Sequence, residues 1–117
     1  MRDFRKMLIW ERSLRFVTTT YSFTKLFPDD ERFGLISQMR RAAVSISSNI
    51  AEGSARNSDI EFKRFLEIAL GSAFELETQL IVSAEMNYLN IEKFNEYLSE
   101  LQEIQKMINS FINKLKK

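Results

Sequence analysis

Four stretches of the chain repeat their apolar positions with the period of an α-helix, and short polar breaks separate them. In the first, from about Ile9 to Phe27, Trp10, Leu14, Val17, Tyr21 and Thr24 step by 4, 3, 4 and 3 residues. They are taken as its core stripe, widened by Phe16, Phe23 and Phe27. Pro28 ends it, because a helix does not readily continue into proline. Asp29, Asp30 and Glu31 follow, where negative charge suits the N-terminus of a second helix, predicted from about Glu31 to Ala55. Its stripe is Leu35, Met39, Ala42, Ile46, Asn49 or Ile50, and Gly53.

Ser58 with Glu61 three residues on forms a capping box, so a third helix starts there and runs to about Met86. Phe62, Leu66, Ala69, Ala73, Leu76 and Leu80 form its seam, while Phe65, Leu70, Phe74 and Ile81 lie outside it. After the turn Asn87–Asn90, Asn90 can cap a fourth helix that reaches about Leu115. Its repeat is Ile91, Phe94, Leu98, Leu101, Ile104 or Gln105, Ile108, Ile112 and Leu115. Lys114, Lys116 and Lys117 put cations at its negative end. Connections this short predict antiparallel neighbours. The expected architecture is all-α, an antiparallel up-down-up-down four-helix bundle in one domain spanning residues 1–117, without linker or internal repeat.

The apolar stripes are wider than one bundle core needs. The fourth helix alone offers Phe94, Tyr97, Leu98, Leu101, Ile104, Met107, Ile108, Phe111, Ile112 and Leu115. A smeared period would broaden one stripe, but surplus apolar surface on a soluble helix favours an oligomer interface. The second helix adds a different signal. Nine of the fourteen residues from Ala42 to Ala55 are Ala, Ser or Gly. Ser, Asn and Gly are mediocre helix formers, so the segment trades propensity for close packing on more than one side, or else frays at its end.

Composition narrows the chemistry. The 117 residues include 44% hydrophobic and 28% charged side chains, three Gly and one Pro, which argues against a turn-rich β fold. Cysteine and histidine are both absent. That removes disulfides, thiol nucleophiles, the commonest general base and the commonest transition-metal ligand. Among the carboxylates, Glu75 and Glu77 face different ways, and Glu67, Glu85, Glu96, Glu100 and Glu103 sit at polar positions, so all read as solvated. The expectation is a non-enzymatic protein with no metal, cofactor or small-molecule substrate. The apolar run Met7–Trp10 is cut by Glu11 and Arg12, so no signal segment forms, and no run is long enough to span a membrane. A cytoplasmic location is expected.

Net charge is +1, but residues 1–58 carry +4 and residues 59–117 carry −3. That asymmetry points to an electrostatic partner or to head-to-tail self-association.

The run Gln38–Gly53 (QMRRAAVSISSNIAEG) resembles the signature of the four-helix-bundle family named after intervening sequences in 23S rRNA genes. Leu8-Ile9-Trp10, Phe27-Pro28, Glu31–Leu35, Phe62–Leu66, Ala69–Ser72 and Glu75–Leu80 continue the match in order along nearly the whole chain. The family pattern often has Pro where this chain has Ser47. The resemblance implies an antiparallel four-helix bundle that assembles as a ring-like homopentamer. The accessory protein of diversity-generating retroelements is similar in fold, and uses a basic pentamer to bind a reverse transcriptase and nucleic acid.

Two groups of residues are candidates for function. Arg41, Ser45, Asn49, Glu52 and Arg56 share one side of the second helix, with i,i+4 spacings between Arg41 and Ser45, Ser45 and Asn49, and Glu52 and Arg56. They are read as an inter-subunit polar network, the alternative being a groove where a phosphate or carboxylate meets Arg41 and Arg56. Arg40, Arg41, Arg56, Lys63 and Arg64 flank the turn between the second and third helices, and Arg2, Arg5, Lys6, Arg12 and Arg15 cluster near the start. Repeated by ring symmetry, such clusters could hold RNA through its phosphates. No RNA-reading signature accompanies them. The expected role is a homo-oligomeric scaffold or binding module, with an RNA-binding accessory protein as the alternative.

Overall fold

The computed structural model describes residues 2–115. It contains four α-helices and no strand among the described residues: α1 (Leu8–Thr24), α2 (Leu35–Ser54), α3 (Asp59–Glu85) and α4 (Ile91–Leu115). Single 3-10 turns at Phe4–Lys6 and Asp29–Glu31 precede α1 and α2. The helices form a bundle 44 Å long in which α2 packs on α1 and α3, and α4 on α3 and α1. Lys114 lies in the last turn of α4, whereas Lys116 and Lys117 fall outside the described residues.

Local chemistry sets the helix ends. Ser58 Oγ accepts from the Glu61 N–H at 3.2 Å, and Asn90 Oδ1 accepts from the Lys93 N–H at 2.8 Å, so both expected caps form. α1 stops three residues before its expected end, at Thr24, because Leu26 and Phe27 tighten into i→i+3 bonds ahead of Pro28. α2 starts at Leu35 rather than Glu31. The acidic residues expected to open it form the 3-10 turn instead, and the Glu31 side chain reaches forward to accept the Leu35 N–H at 3.2 Å. α3 closes on Asn87, whose φ of 63° is tolerated by Asn. The Asn87 and Tyr88 N–H groups bond back to Ala84 and Ser83 carbonyls at 3.0 and 2.9 Å, which completes a Schellman cap.

That cap aims Tyr88 at the opposite connection. Its hydroxyl donates to Glu31 Oε2 at 2.9 Å, and its ring lies 5.3 Å from that of Phe27. Glu31 thus caps α2 with one oxygen and holds the α3–α4 turn with the other. The hydrogen bond, then desolvation and the negative charge of Glu31 and Asp30, keeps the Tyr88 hydroxyl above its ordinary value near 10. A raised tyrosine value means the folded state favours the neutral phenol. The stabilisation is therefore complete below pH 10 and is lost as pH climbs past it. Tyr88→Phe is expected to lower Tm by a few degrees at pH 7, with the gap to the parent closing above pH 10 in thermal scans. An equal gap at both pH values would show that the hydroxyl does not link the two turns.

The core is one cluster drawn from all four helices. On α3 it is the expected seam, with Phe62, Leu66, Ala69, Ala73, Leu76 and Leu80 all fully buried. On α2, Met39, Ala42, Ile46, Ile50 and Gly53 are buried as expected. α1 differs. Its core face is Ile9, Ser13, Phe16, Thr20, Phe23 and Thr24, while Leu14 is 42% exposed and Trp10 and Val17 are half-buried. Phe16, Phe23, Thr24 and Phe27 are buried as expected, whereas Trp10, Leu14, Val17 and Tyr21 are turned to the edge that faces α2. Three hydroxyl residues can fill core positions because each donates to a carbonyl of its own helix: Ser13 to Ile9 at 2.6 Å, Thr20 to Phe16 at 2.8 Å and Thr24 to Thr20 at 2.6 Å.

The wide stripe of α4 is likewise absorbed within one chain. None of its ten apolar residues from Phe94 to Leu115 is exposed, because α1 and α3 flank it on both sides. The N-terminal segment closes its far end. Arg2 donates its backbone N–H to the Ser54 carbonyl at 2.8 Å. Its guanidinium lies 4.8 Å from the Phe62 ring and 5.8 Å from that of Phe111, and 3.4 Å from Asp59.

Candidate interaction surfaces

The polar flank of α2 divides when placed in the fold. Ser45 Oγ and Ser72 Oγ share a 2.8 Å hydrogen bond across α2 and α3, and Asn49 Nδ2 donates to the Ser45 carbonyl at 2.8 Å and to Ser45 Oγ at 3.0 Å. Within one chain, Ser45 and Asn49 are therefore tied to each other and, through Ser72, to α3. The small residues of α2 bring α3 close enough for two short hydroxyls to meet. Arg41, Glu52 and Arg56 are exposed and stand outside this network. Arg41 lines an open groove of about 360 Å³ with Gln38, Ala42, Ser45 and, from α3, Glu75. A carboxylate beside the guanidinium makes this groove a poor anion site.

The five candidate cations do not form one patch. Arg40 folds back on α1, where its Nε donates to Thr24 Oγ1 at 3.0 Å and its guanidinium lies 4.5 Å from the Tyr21 ring centre. Arg56 sits 4.7 Å from the Phe65 ring centre at the end of α2. Lys63 and Arg64 line a shallow depression with Ile60, Glu67 and Leu115, between the start of α3 and the end of α4. Among the described residues, none of Arg40, Arg41, Arg56, Lys63 and Arg64 is in an ion pair.

Exposed apolar surface lies where the stripes alone did not place it. One open groove, of about 350 Å³, runs between α1 and α2 and is lined by Phe4, Trp10, Leu14, Val17, Val44, Ser47, Ser48 and Ala51. The stripe assigned to the core of α1 supplies one of its walls. Phe4 packs edge-on against Trp10 at 5.0 Å. A second apolar surface runs along the α4 edge of α3, through half-buried Leu70 to Phe74, which is 52% exposed, and Ile81, which is 42% exposed. Beside it Gln105 of α4 donates to Glu77 Oε1 at 2.8 Å, which fastens α4 to α3 beneath the ridge. Sequence reasoning singled out Phe74 and Ile81 as lying outside the seam, but it missed the groove, whose walls come from two helices.

No group of three or more Asp or Glu among the described residues is placed to hold a metal ion. No described helix is long and apolar enough to cross a membrane.

The profile of the 23S rRNA-intervening sequence protein family matches residues 5–110, and the chain belongs to that family. Among solved structures it is similar to a protein of unknown function from the S23 ribosomal protein family of Bacteroides thetaiotaomicron. That similarity has a TM-score of 0.83 and 27% sequence identity, and covers 91% of this chain and 96% of the other. No curated protein matches the chain.

Proposed function

We propose that the protein is a non-enzymatic homo-oligomer, a ring of up-down-up-down bundles that serves as a scaffold for a partner. The observation that carries this reading is that two apolar surfaces stay open on different helices after the core is complete. Soluble monomers seldom leave such contiguous patches in water. The up-down order is supported by the pairing of helix ends. Met39 near the start of α2 meets Ser83 near the end of α3, and Phe62 near the start of α3 meets Phe111 near the end of α4. A ring of five follows from the family resemblance. Light scattering at several protein concentrations should report about five times the 13.8 kDa chain mass. A monomer at micromolar concentration would overturn the reading.

RNA binding is the second reading, and its support is local. Arg2, Arg56, Lys63 and Arg64 gather at the end of the bundle where α2 gives way to α3, and symmetry would repeat that end around a ring. Phosphate contacts of this kind lose affinity steeply with salt. In the same preparation, structured RNA should bind at low salt, bind far less at 200 mM, and bind less to the Lys63→Gln, Arg64→Gln double variant. No binding at low salt removes this reading and leaves the scaffold intact.

A further inference from the structure

We infer that the oligomer is built head to tail, with the α3 ridge of one copy seated in the α1–α2 groove of the next. The inference rests on the oligomeric reading and adds which surfaces meet. Three observations support it.

The first is matched spacing. The groove walls run from Trp10 through Leu14 to Val17 on α1 and from Val44 to Ala51 on α2, and the two exposed residues of the ridge, Phe74 and Ile81, stand the same seven positions apart. At about 1.5 Å per residue, each of these spans is about 10 Å. The second is shape. Val44, Ser48 and Ala51 line the α2 side of the groove. Such short side chains admit a neighbouring helix closely, and the half-exposed Phe74 and Ile81 supply the protruding groups. This also gives a use to small residues of α2 that its packing on α3 leaves unexplained.

The third is charge, which decides between the possible pairings. Groove and ridge lie on opposite halves of a charge-divided chain: α1 and α2 belong to the half with net +4, and α3 and α4 to the half with net −3. Groove on groove or ridge on ridge brings like charge together, whereas groove on ridge brings opposite charge together. A contact between two unlike surfaces is heterologous, and repeating it closes a ring when the rotation allows.

The chain has no cysteine, so introduced thiols are its only ones. Ser48→Cys places a thiol in the groove and Thr78→Cys places one beside the ridge, both at exposed positions. With a short bismaleimide, the double variant should give a ladder of linked chains that stops at the size of the assembly, and each single variant should give almost no linked product. Linking in either single variant would overturn the inference in favour of a two-fold contact. An unlinked double variant that light scattering still shows as an oligomer would overturn the choice of surfaces and leave the oligomer standing. A double variant that is monomeric, as the parent also is, would remove both.

Discussion

Phe62→Ala should unfold this protein or bring it close to unfolding, whereas Phe74→Ala should leave each chain folded and abolish the proposed head-to-tail contact. Phe62 is fully buried, lies 5.4 Å edge-on to Phe111, and carries the Arg2 guanidinium above its ring. Truncating a buried Phe removes its transfer free energy and leaves a cavity, a loss of about 3–5 kcal/mol. Domains of this size are stable by about 5–15 kcal/mol in total. The loss should appear in urea titrations followed by helical circular dichroism, as a much lower midpoint at similar slope. Phe74 is 52% exposed, so its truncation should change the stability of one chain by under about 1 kcal/mol. Its effect belongs in the light-scattering mass. The comparison must be made at one protein concentration, because assembly adds to apparent stability. A Phe62→Ala variant within about 1 kcal/mol of the parent would mean that the α3 seam is not the centre of the core.

The same substitution at two helical glycines should move stability in opposite directions. In a helix interior, Ala is favoured over Gly by about 0.5–1 kcal/mol. At Gly71 a Cβ meets nothing within 4 Å, so Gly71→Ala should raise Tm by a few degrees. At Gly53 a Cβ would lie 2.7 Å from Phe65 Cβ, 2.8 Å from Phe62 Cδ1 and 3.3 Å from the Phe62 carbonyl oxygen. Phe65 Cβ is fixed to the backbone of α3, so the two helices must part. Overpacking of this kind costs about 1–3 kcal/mol, which outweighs the gain in propensity. Gly53→Ala should therefore lower Tm by several degrees. Equal rises at both sites would show that α2 and α3 can separate freely at their shared end.

The two glycines show where a linear reading stops. The period puts Gly53 on the buried stripe of α2 and leaves Gly71 off the seam of α3, but nothing along the chain shows that Phe62 and Phe65 are what a Cβ at Gly53 would meet. The α3 seam was legible because its neighbours within the period are strongly apolar and its start carries a capping box. The first helical stretch was legible only in part, at Phe16, Phe23, Thr24 and Phe27, because two stripes compete there. Trp10, Leu14, Val17 and Tyr21 are the more hydrophobic set, yet the core takes Ile9, Ser13, Phe16, Thr20 and Phe23. Hydroxyls that bond to their own helix can be buried at little cost, so average polarity does not choose between the stripes. Of the candidate polar residues, Ser45 and Asn49 bond to each other at the i,i+4 spacing that the sequence displays, but their further partner, Ser72, lies 27 positions from Ser45.

By itself the sequence determined the helix count, the caps at Ser58 and Asn90, the seams of α2 and α3, and the family. All of these depend on periodicity or on neighbours a few residues apart. Only the tertiary structure decided which face of α1 is inside, that the broad stripe of α4 is already covered, and that the open apolar surface is a groove on one pair of helices and a ridge along α3. Those depend on how the helices are rotated about their axes. That rotation is set by contacts between distant residues, such as Gly53 with Phe62 and Phe65, or Tyr88 with Glu31.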